Sequence, residues 1–317
     1  MKSIAVIGIG NLGLRHLESL YISKNKYKLY ALDKYKSSLD NAHKHLNKID
    51  NHQNNISYIN SISQLPKKLD VIILSTNSDI RFDLLNNLIS RISFKYLIIE
   101  KIVFQKPENY FEIYNLLNYY NIICYINCPM RTYEFYKHIK NSNRNDELIS
   151  MEVTGGNWDI GCNSIHYIDL YSYLSENLTL NYNFKLDKKL KKSKRKGFIE
   201  FNGQIISTNN NSSLFLNCYD DNSEKKIIIE YKSSKYIIYE NKSYYDIYIN
   251  NKKNEKIDLN IPYQSQMTKN VVKDIFDNSC ELPCYNSTFK IHENFINSLL
   301  IHLNKNYNMN INFVPIT

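Results

Sequence analysis

A β-rich apolar run, SIAVIGI, passes through a turn carrying Gly8, Gly10 and Gly13 straight into the helical spacing of NLGLRHLESLYI. No other feature restricts the chain so tightly. A strand that ends in a glycine turn and feeds a helix at once implies parallel strands with helices on both faces of the sheet. The residues that follow keep up the alternation to 127. YKLYALD, ISYI, DVIILST, YLIIEKI and IICYIN read as strands, and segments 38–49, 79–91 and 107–120 read as helices. Pro107 stands where a first helical turn accepts it. The prediction is an α/β chain, with a doubly wound parallel sheet of the Rossmann type over residues 1–127.

Each glycine of the turn has its own job. Gly8 allows the tight turn, Gly10 lets a pyrophosphate approach the backbone, and Gly13 lets helix and strand pack closely. A phosphate there meets the positive end of the helix, where Asn11 and Leu12 form the first turn. Asp33 lies twenty residues past Gly13, at the end of the second strand, placed to accept hydrogen bonds from a ribose 2′-hydroxyl. A carboxylate repels a 2′-phosphate, so NAD(H) is favoured, while Lys34 and Lys36 leave NADP(H) open. Ser75, Thr76 and Asn77 end the fourth strand and Glu100 the fifth, where an open α/β sheet binds its ligand. Lys101 could polarise a carbonyl or exchange a proton with a hydroxyl; an ordinary ion pair at the strand end is the alternative.

After residue 147 the pattern changes. ELISMEVTGG reads as a strand and 165–174 as a helix. GFIEFNGQIIST, SSLFLNCYD, KKIIIEYKSSKYIIYEN and YYDIYIN are then short β-branched or aromatic runs broken by Asn and Ser. Residues 128–317 are predicted to form a second, α+β domain with an open, mostly antiparallel sheet. The helical FKIHENFINSLLIHL could pack back on the first domain. Between these parts, residues 155–174 spend three of the chain's eight glycines and its only Trp just before a helix carrying His166.

Composition excludes some partners. The net charge of +9 comes with an abundance of Asn, Lys, Ile and Tyr, residues with AT-rich codons, so it is read as base composition rather than as a nucleic-acid footprint. The basic run 185–196 reads as a solvated connection. Six cysteines lack zinc spacing, no metal site is expected, and no apolar run is long enough to span a membrane. The start reads as a strand rather than a leader, which places the protein in the cytoplasm.

In order along the whole chain, GIGNLG, Asp33, STNSDIR, EKI, INCPMRTYEFYKHIK, GGNW and CNSIHYIDLYSYL resemble the glucose–fructose oxidoreductase, inositol dehydrogenase and MocA-like (Gfo/Idh/MocA) oxidoreductases. The family's E-K-P motif stands here as Glu100-Lys101-Ile102, and its N-R-R-F-like stretch as 127–133, with Arg131 kept and Cys128 and Pro129 departing. Its threonine-proline-asparagine loop corresponds to Thr76, Asn77 and Ser78, with Arg81 where a histidine usually follows. In the D-x-G-x-H-x-x-D frame His166 and Asp169 match, and Cys162 replaces the first acid. The resemblance implies hydride transfer between a nicotinamide and a carbon bearing a hydroxyl, keto or imine group. Lys101 would hold the oxygen and His166 would act as general acid/base. Arg131, Trp158, Cys162 and Asn163 are implied on the substrate side, and Asp169 as structural. Trp158 either stacks on a sugar ring or fills the domain interface.

With Cys162 in place of the acid, the proton path runs through Lys101, His166, Asn163 or water, since a thiol's ordinary pKa near 8.5 makes it a poor acid. The implied substrate is a small carbohydrate: a sugar, sugar acid or sugar nucleotide, with bacterial surface-sugar synthesis as the context. A homodimer or homotetramer through the open sheet is also implied. The rival reading is a catalytically silent cofactor-binding regulator or scaffold subunit, which the Cys162 departure keeps open.

Overall fold

The computed structural model describes residues 1–50, 54–208 and 211–317. It divides into two compact units: Met1–Phe104 with Asn109–Asn127 and Pro262–Ser287, and Gln105–Glu108 with Cys128–Ile261 and Thr288–Thr317.

The first unit alternates as its sequence predicts. In order come β1 (Lys2–Ile7), α1 (Asn11–Tyr21), β2 (Tyr27–Leu32), α2 (Lys36–Leu46) and β3 (Asn55–Ile59). Then follow β4 (Lys68–Leu74), α3 (Ser78–Arg91), β5 (Ser93–Ile99), α4 (Pro107–Tyr119) and β6 (Ile123–Ile126). All neighbouring strands are parallel, in the order β3-β2-β1-β4-β5-β6. The central strands β1 and β4 bury Ile4–Ile7 and Val71–Leu74 almost completely, which is why both read as unbroken apolar runs. The chain builds outward from β1 to β3, then restarts at β4 on the other side of β1. That reversal opens a crevice at the carboxyl ends of β1 and β4, where a doubly wound sheet receives its ligand. A late segment completes the unit. Val272 and Ile275 of a helix at Gln264–Phe276 join the cluster formed by Leu17 and Leu20 of α1 and Tyr27 of β2.

The second unit contains α5 (Glu134–Ser142), β7 (Leu148–Gly156), α6 (Ile160–Ser175), β8 (Tyr182–Leu186), the short pair β9 (Lys191–Lys192) and β10 (Ile199–Glu200), and β11 (Gly203–Thr208). These are followed by β12 (Ser213–Tyr219), β13 (Lys226–Tyr231), β14 (Ser234–Tyr239), β15 (Tyr244–Ile249) and β16 (Lys252–Asp258). In chain order the helix at Gln264–Phe276 is then α7, and α8 (Tyr285–Tyr307) belongs to the second unit from Thr288 on. Eight strands form one sheet in the order β16-β15-β14-β13-β7-β12-β11-β8. β7 and β12 run parallel and every other pair antiparallel, so the expected open, mostly antiparallel sheet is present as a mixed sheet. One face is a core of Met151, Val153, Leu214, Leu216, Ile227 and Ile229, all close to fully buried. Among the described residues no helix is long and apolar enough to cross a membrane.

Candidate active site

At Gly8 and Gly13 the backbone geometry itself requires glycine. Gly8 has φ +90, and a Cβ there would lie 2.8 Å from Cγ2 of Thr76. A Cβ on Gly13 would come within 1.9 Å of the Gly8 carbonyl oxygen, so α1 can pack this closely only with glycine. Gly10 differs: its Cβ would meet nothing within 4 Å. The Ser75 hydroxyl ties the turn to the end of β4 by donating to the carbonyls of Gly8 at 2.8 Å and Ile7 at 3.1 Å. Gly10 is the N-cap of α1, with no side-chain cap, and its carbonyl accepts from Leu14 N at 2.9 Å. The amides of Asn11, Leu12 and Gly13 therefore have no acceptor within the helix. An uncapped helix amino terminus beside an open glycine backbone fits a dinucleotide phosphate. Asp33 accepts from Ile9 N at 2.7 Å through Oδ2 and from Tyr35 N at 2.9 Å through Oδ1. Each oxygen keeps a second lone pair for a ribose hydroxyl.

The ends of β4 and β5 are joined by a charge whose role the sequence does not reveal. Arg81, 1% exposed, donates to the carbonyls of Glu100 at 2.6 Å and Val103 at 3.1 Å, and also to those of Ile102 and Thr76. The guanidinium staples the STNSDIR loop to the 100–103 segment, in which the Lys101–Ile102 peptide is cis. Thr76 Oγ1 is buried with no hydrogen-bond partner among the described residues, a polar atom in want of an acceptor or donor. Asn77 is the exposed N-cap of α3. Glu100 is buried, and its Oε1 takes His16 Nε2 at 2.8 Å and Asn127 Nδ2 at 2.5 Å. Lys101 is half-exposed.

In the second unit Trp158, Cys162 and Asn163 gather around the start of α6. The helix begins at Ile160, not 165, because a distant carboxylate receives its first amides: Glu200 of β10 accepts from Gly161 N at 2.7 Å and Cys162 N at 3.1 Å. A Cβ on Gly161 would lie 2.6 Å from Glu200 Oε2, so this glycine makes room for the carboxylate. Asp159, at φ 58, turns the chain into the helix. The Cys162 thiol lies 3.7 Å from the Asp159 carbonyl, and Asn163 donates to the Trp158 carbonyl at 2.8 Å. His166, half-buried, follows Cys162 one turn later.

Trp158 is 8% exposed; its indole donates to the Asn217 carbonyl at 2.8 Å and meets the Tyr167 ring edge-on at 5.5 Å. The ring thus fills the interior of its own unit. Arg131 makes a two-pronged pair with Asp169, at 2.9 and 2.5 Å, rather than presenting a fork for a substrate. Burial pushes the Asp169 carboxyl up to about 6 against the pull of Arg131, so at neutral pH the pair is ionised. The basic run is not a bare solvated connection either. Lys191 donates to Asn157 at 2.6 Å and Lys194 to Asp159 at 3.0 Å, so with Glu200 the β9–β10 hairpin grips residues 157–162.

A family model described as an oxidoreductase family with an NAD-binding Rossmann fold (GFO_IDH_MocA) matches residues 2–128. Over that first unit's stretch the chain is similar to that oxidoreductase family. Solved structures of similar fold cover nearly its whole length. A levoglucosan dehydrogenase in complex with NADH and levoglucosan is 12% identical, with a TM-score of 0.73 over 96% of this chain and 98% of the other. A dehydrogenase from Clostridium difficile is 15% identical, with a TM-score of 0.72 over 95% and 99%. A UDP-N-acetylglucosamine 3-dehydrogenase from Acidithiobacillus ferrooxidans is 13% identical, with a TM-score of 0.69 over 95% and 96%. No curated protein matches.

Three side chains around the candidate residues have roles that the sequence does not reveal: Arg81, Glu200 and His16. Arg81 works on main-chain carbonyls, and Glu200 caps a helix from 38 and 39 residues away in a strand of ordinary appearance. His16 leaves a faint trace, as a titratable residue on the apolar face of α1 beside Leu17 and Leu20. Although position 162 is a cysteine, Glu200 puts a buried carboxylate at the start of α6, and burial raises its pKa.

Proposed function

We propose that the chain transfers a hydride between NAD(H) and a carbon of a small carbohydrate that bears a hydroxyl, keto or imine group. The observation that carries the reading is the open backbone at Gly10 beside the uncapped start of α1, with Asp33 fixed at the end of β2. The nicotinamide, when bound, supplies or accepts the hydride. Lys101 would hold and polarise the substrate oxygen, and His166 would give or take the hydroxyl proton. Asn11, Leu12, Gly13 and Thr76 would serve the phosphates, and Asn163 the substrate. Asp33 favours NAD(H); exposed Lys34 and Lys36 keep NADP(H) open. A carbohydrate substrate is supported by the sugar-acting dehydrogenases among the structures of like fold, and synthesis of a surface sugar is the context we favour.

Homo-oligomerisation through the second unit's sheet completes the proposal. By strand register Ile206, Phe215, Ile228 and Ile237 fall in one row across the face opposite the buried core, interrupted by Glu152. An apolar row of this kind favours cover by a second copy. Phe215→Glu should halve or quarter the particle mass in sedimentation; a wild-type chain that sediments as a monomer would remove the idea.

The decisive assay mixes purified protein with NADH or NADPH and keto-sugars, sugar acids and sugar nucleotides, and follows cofactor absorbance. Turnover that falls by about 10²–10⁴ in Lys101→Ala or His166→Ala supports the enzyme. Tight cofactor binding without turnover on any of them would favour a silent regulator, the reading that Cys162 keeps in play.

A further inference from the structure

Beside Lys101, five polar side chains of the first unit close a hydrogen-bonded ring. His16 Nε2 lies 2.8 Å from Glu100 Oε1, and Asn127 Nδ2 donates to the same oxygen at 2.5 Å. Asn127 Nδ2 also donates to Gln264 Oε1 at 3.1 Å, Gln264 Nε2 donates to Thr268 Oγ1 at 3.0 Å, and that hydroxyl lies 2.9 Å from His16 Nδ1. Four members are at least 96% buried: His16 1% exposed, Glu100 3%, Asn127 4% and Thr268 1%.

The donors and acceptors balance. A carboxylate only accepts, so His16 Nε2 carries a hydrogen toward Glu100. Nδ1 of a neutral ring then accepts from the Thr268 hydroxyl, which in turn accepts from Gln264. Asn127 spends one amide hydrogen on each neighbour. The Thr268 hydroxyl also lies 3.2 Å from the Gln264 carbonyl and Gln264 Nε2 3.4 Å from His16 Nδ1, so α7 braces the imidazole through more than one contact.

The ring links four places in the chain: α1, whose amino end carries the glycine turn, the ends of β5 and β6, and α7. Glu100 is where this linkage reaches Lys101, the next residue. On its main-chain side the same segment is held by Arg81 through the carbonyls of residues 100, 102 and 103. Glu100 is thus gripped by side chain and by backbone, and the root of the lysine with it.

We infer that His16 is a positioning residue for Lys101: braced by Thr268 of α7, its imidazole holds the Glu100 carboxylate and so fixes where the neighbouring ammonium group starts. Glu100 then serves as the keystone of the ring rather than as a direct ligand of the cofactor. The role assigned to His16 rests on the proposed function only in taking Lys101 as the working amine.

The test needs no substrate. Limiting acetic anhydride is added across a pH series, and the acetylation rate of each lysine is read by mass spectrometry. His16→Leu should change the Lys101 rate by about 3-fold or more, as expected when an amine's environment shifts by about half a pKa unit. Lys28 and Lys95, elsewhere in the unit, should keep their rates. His16→Gln, which retains an N–H for Glu100, should restore most of the Lys101 value. A merely structural histidine would lower the melting temperature and leave the Lys101 rate alone. A folded His16→Leu protein with the wild-type Lys101 rate overturns the inference. If His16→Leu does not fold, Thr268→Val carries the test, with a change in the same direction expected and an unchanged rate overturning it. Protection of wild-type Lys101 by NADH is scored separately. Its absence would count against the place of Lys101 in the proposed function without touching the ring.

Discussion

Arg81 and Asp33 show two ways in which a single charged side chain serves the backbone. Arg81 spends its guanidinium on four carbonyls from two loops, and burying such a group is tolerable only because those hydrogen bonds replace water. Arg81→Met should therefore cost about 3 kcal/mol or more in urea unfolding, since the carbonyls lose a charged donor. Arg81→Lys should recover little, because one ammonium cannot reproduce the planar fork. Asp33 holds the amide of Ile9 in the glycine turn while remaining able to accept from a ligand. Asp33→Ala should weaken NADH binding about 10-fold and relax the preference for NADH over NADPH in fluorescence titration; an unchanged ratio would contradict the ribose role. Of these two, Asp33 was legible in the sequence because its spacing from the glycines carries the signal. Arg81 was not, because its partners are main-chain atoms that every residue possesses.

At the scale of elements, α6 shows how a helix start is chosen. Residues 160–164 carry no local signal for helix, with a glycine at 161 and no side-chain cap at Asp159. Glu200 supplies the missing acceptor from another strand, and Gly161 leaves the room it needs. Gly161→Ala should then cost about 1–3 kcal/mol and speed amide exchange at 161 and 162, because the methyl displaces the carboxylate. Glu200→Gln should cost about 1 kcal/mol, by weakening charge-assisted bonds to the helix amino end. Hydrogen exchange by mass spectrometry checks both; protection unchanged in the two variants would mean that α6 starts without Glu200. In contrast α1 needs no such help, because its glycine turn, strand and helix are contiguous in sequence.

For the molecule as a whole, two buried groups of the second unit set opposing pH dependences. His292 is 1% exposed, neither ring nitrogen has a hydrogen-bond partner among the described residues, and burial beside Arg131 holds its pKa down to about 3. The unfolded ring protonates near 6.5, so its contribution is present above that pH and is lost as pH falls toward 3, at about 1.4 kcal/mol per unit. Asp169 runs the other way. Its folded pKa of about 6 lies above the ordinary 3.8, so between those values the folded state takes up the proton first and stability rises as pH falls. The two offset each other in that window. His292→Leu should remove one side of the balance, so its stability gain over wild type should be larger at pH 5 than at pH 7 in urea unfolding. Equal gains would show that His292 does not titrate this way. The sequence by itself determined the alternation of the first sheet, the glycine turn and the acid at 33, because each depends on neighbours within a turn or at a set spacing. The tertiary structure alone decided the parallel pairing of β7 with β12, the joining of α7 to α1, and the partners of Arg81, Glu200 and His16. Most of those contacts join residues tens to hundreds of positions apart, and the free energy that selects them comes from burying polar groups only where acceptors converge, which no local pattern encodes.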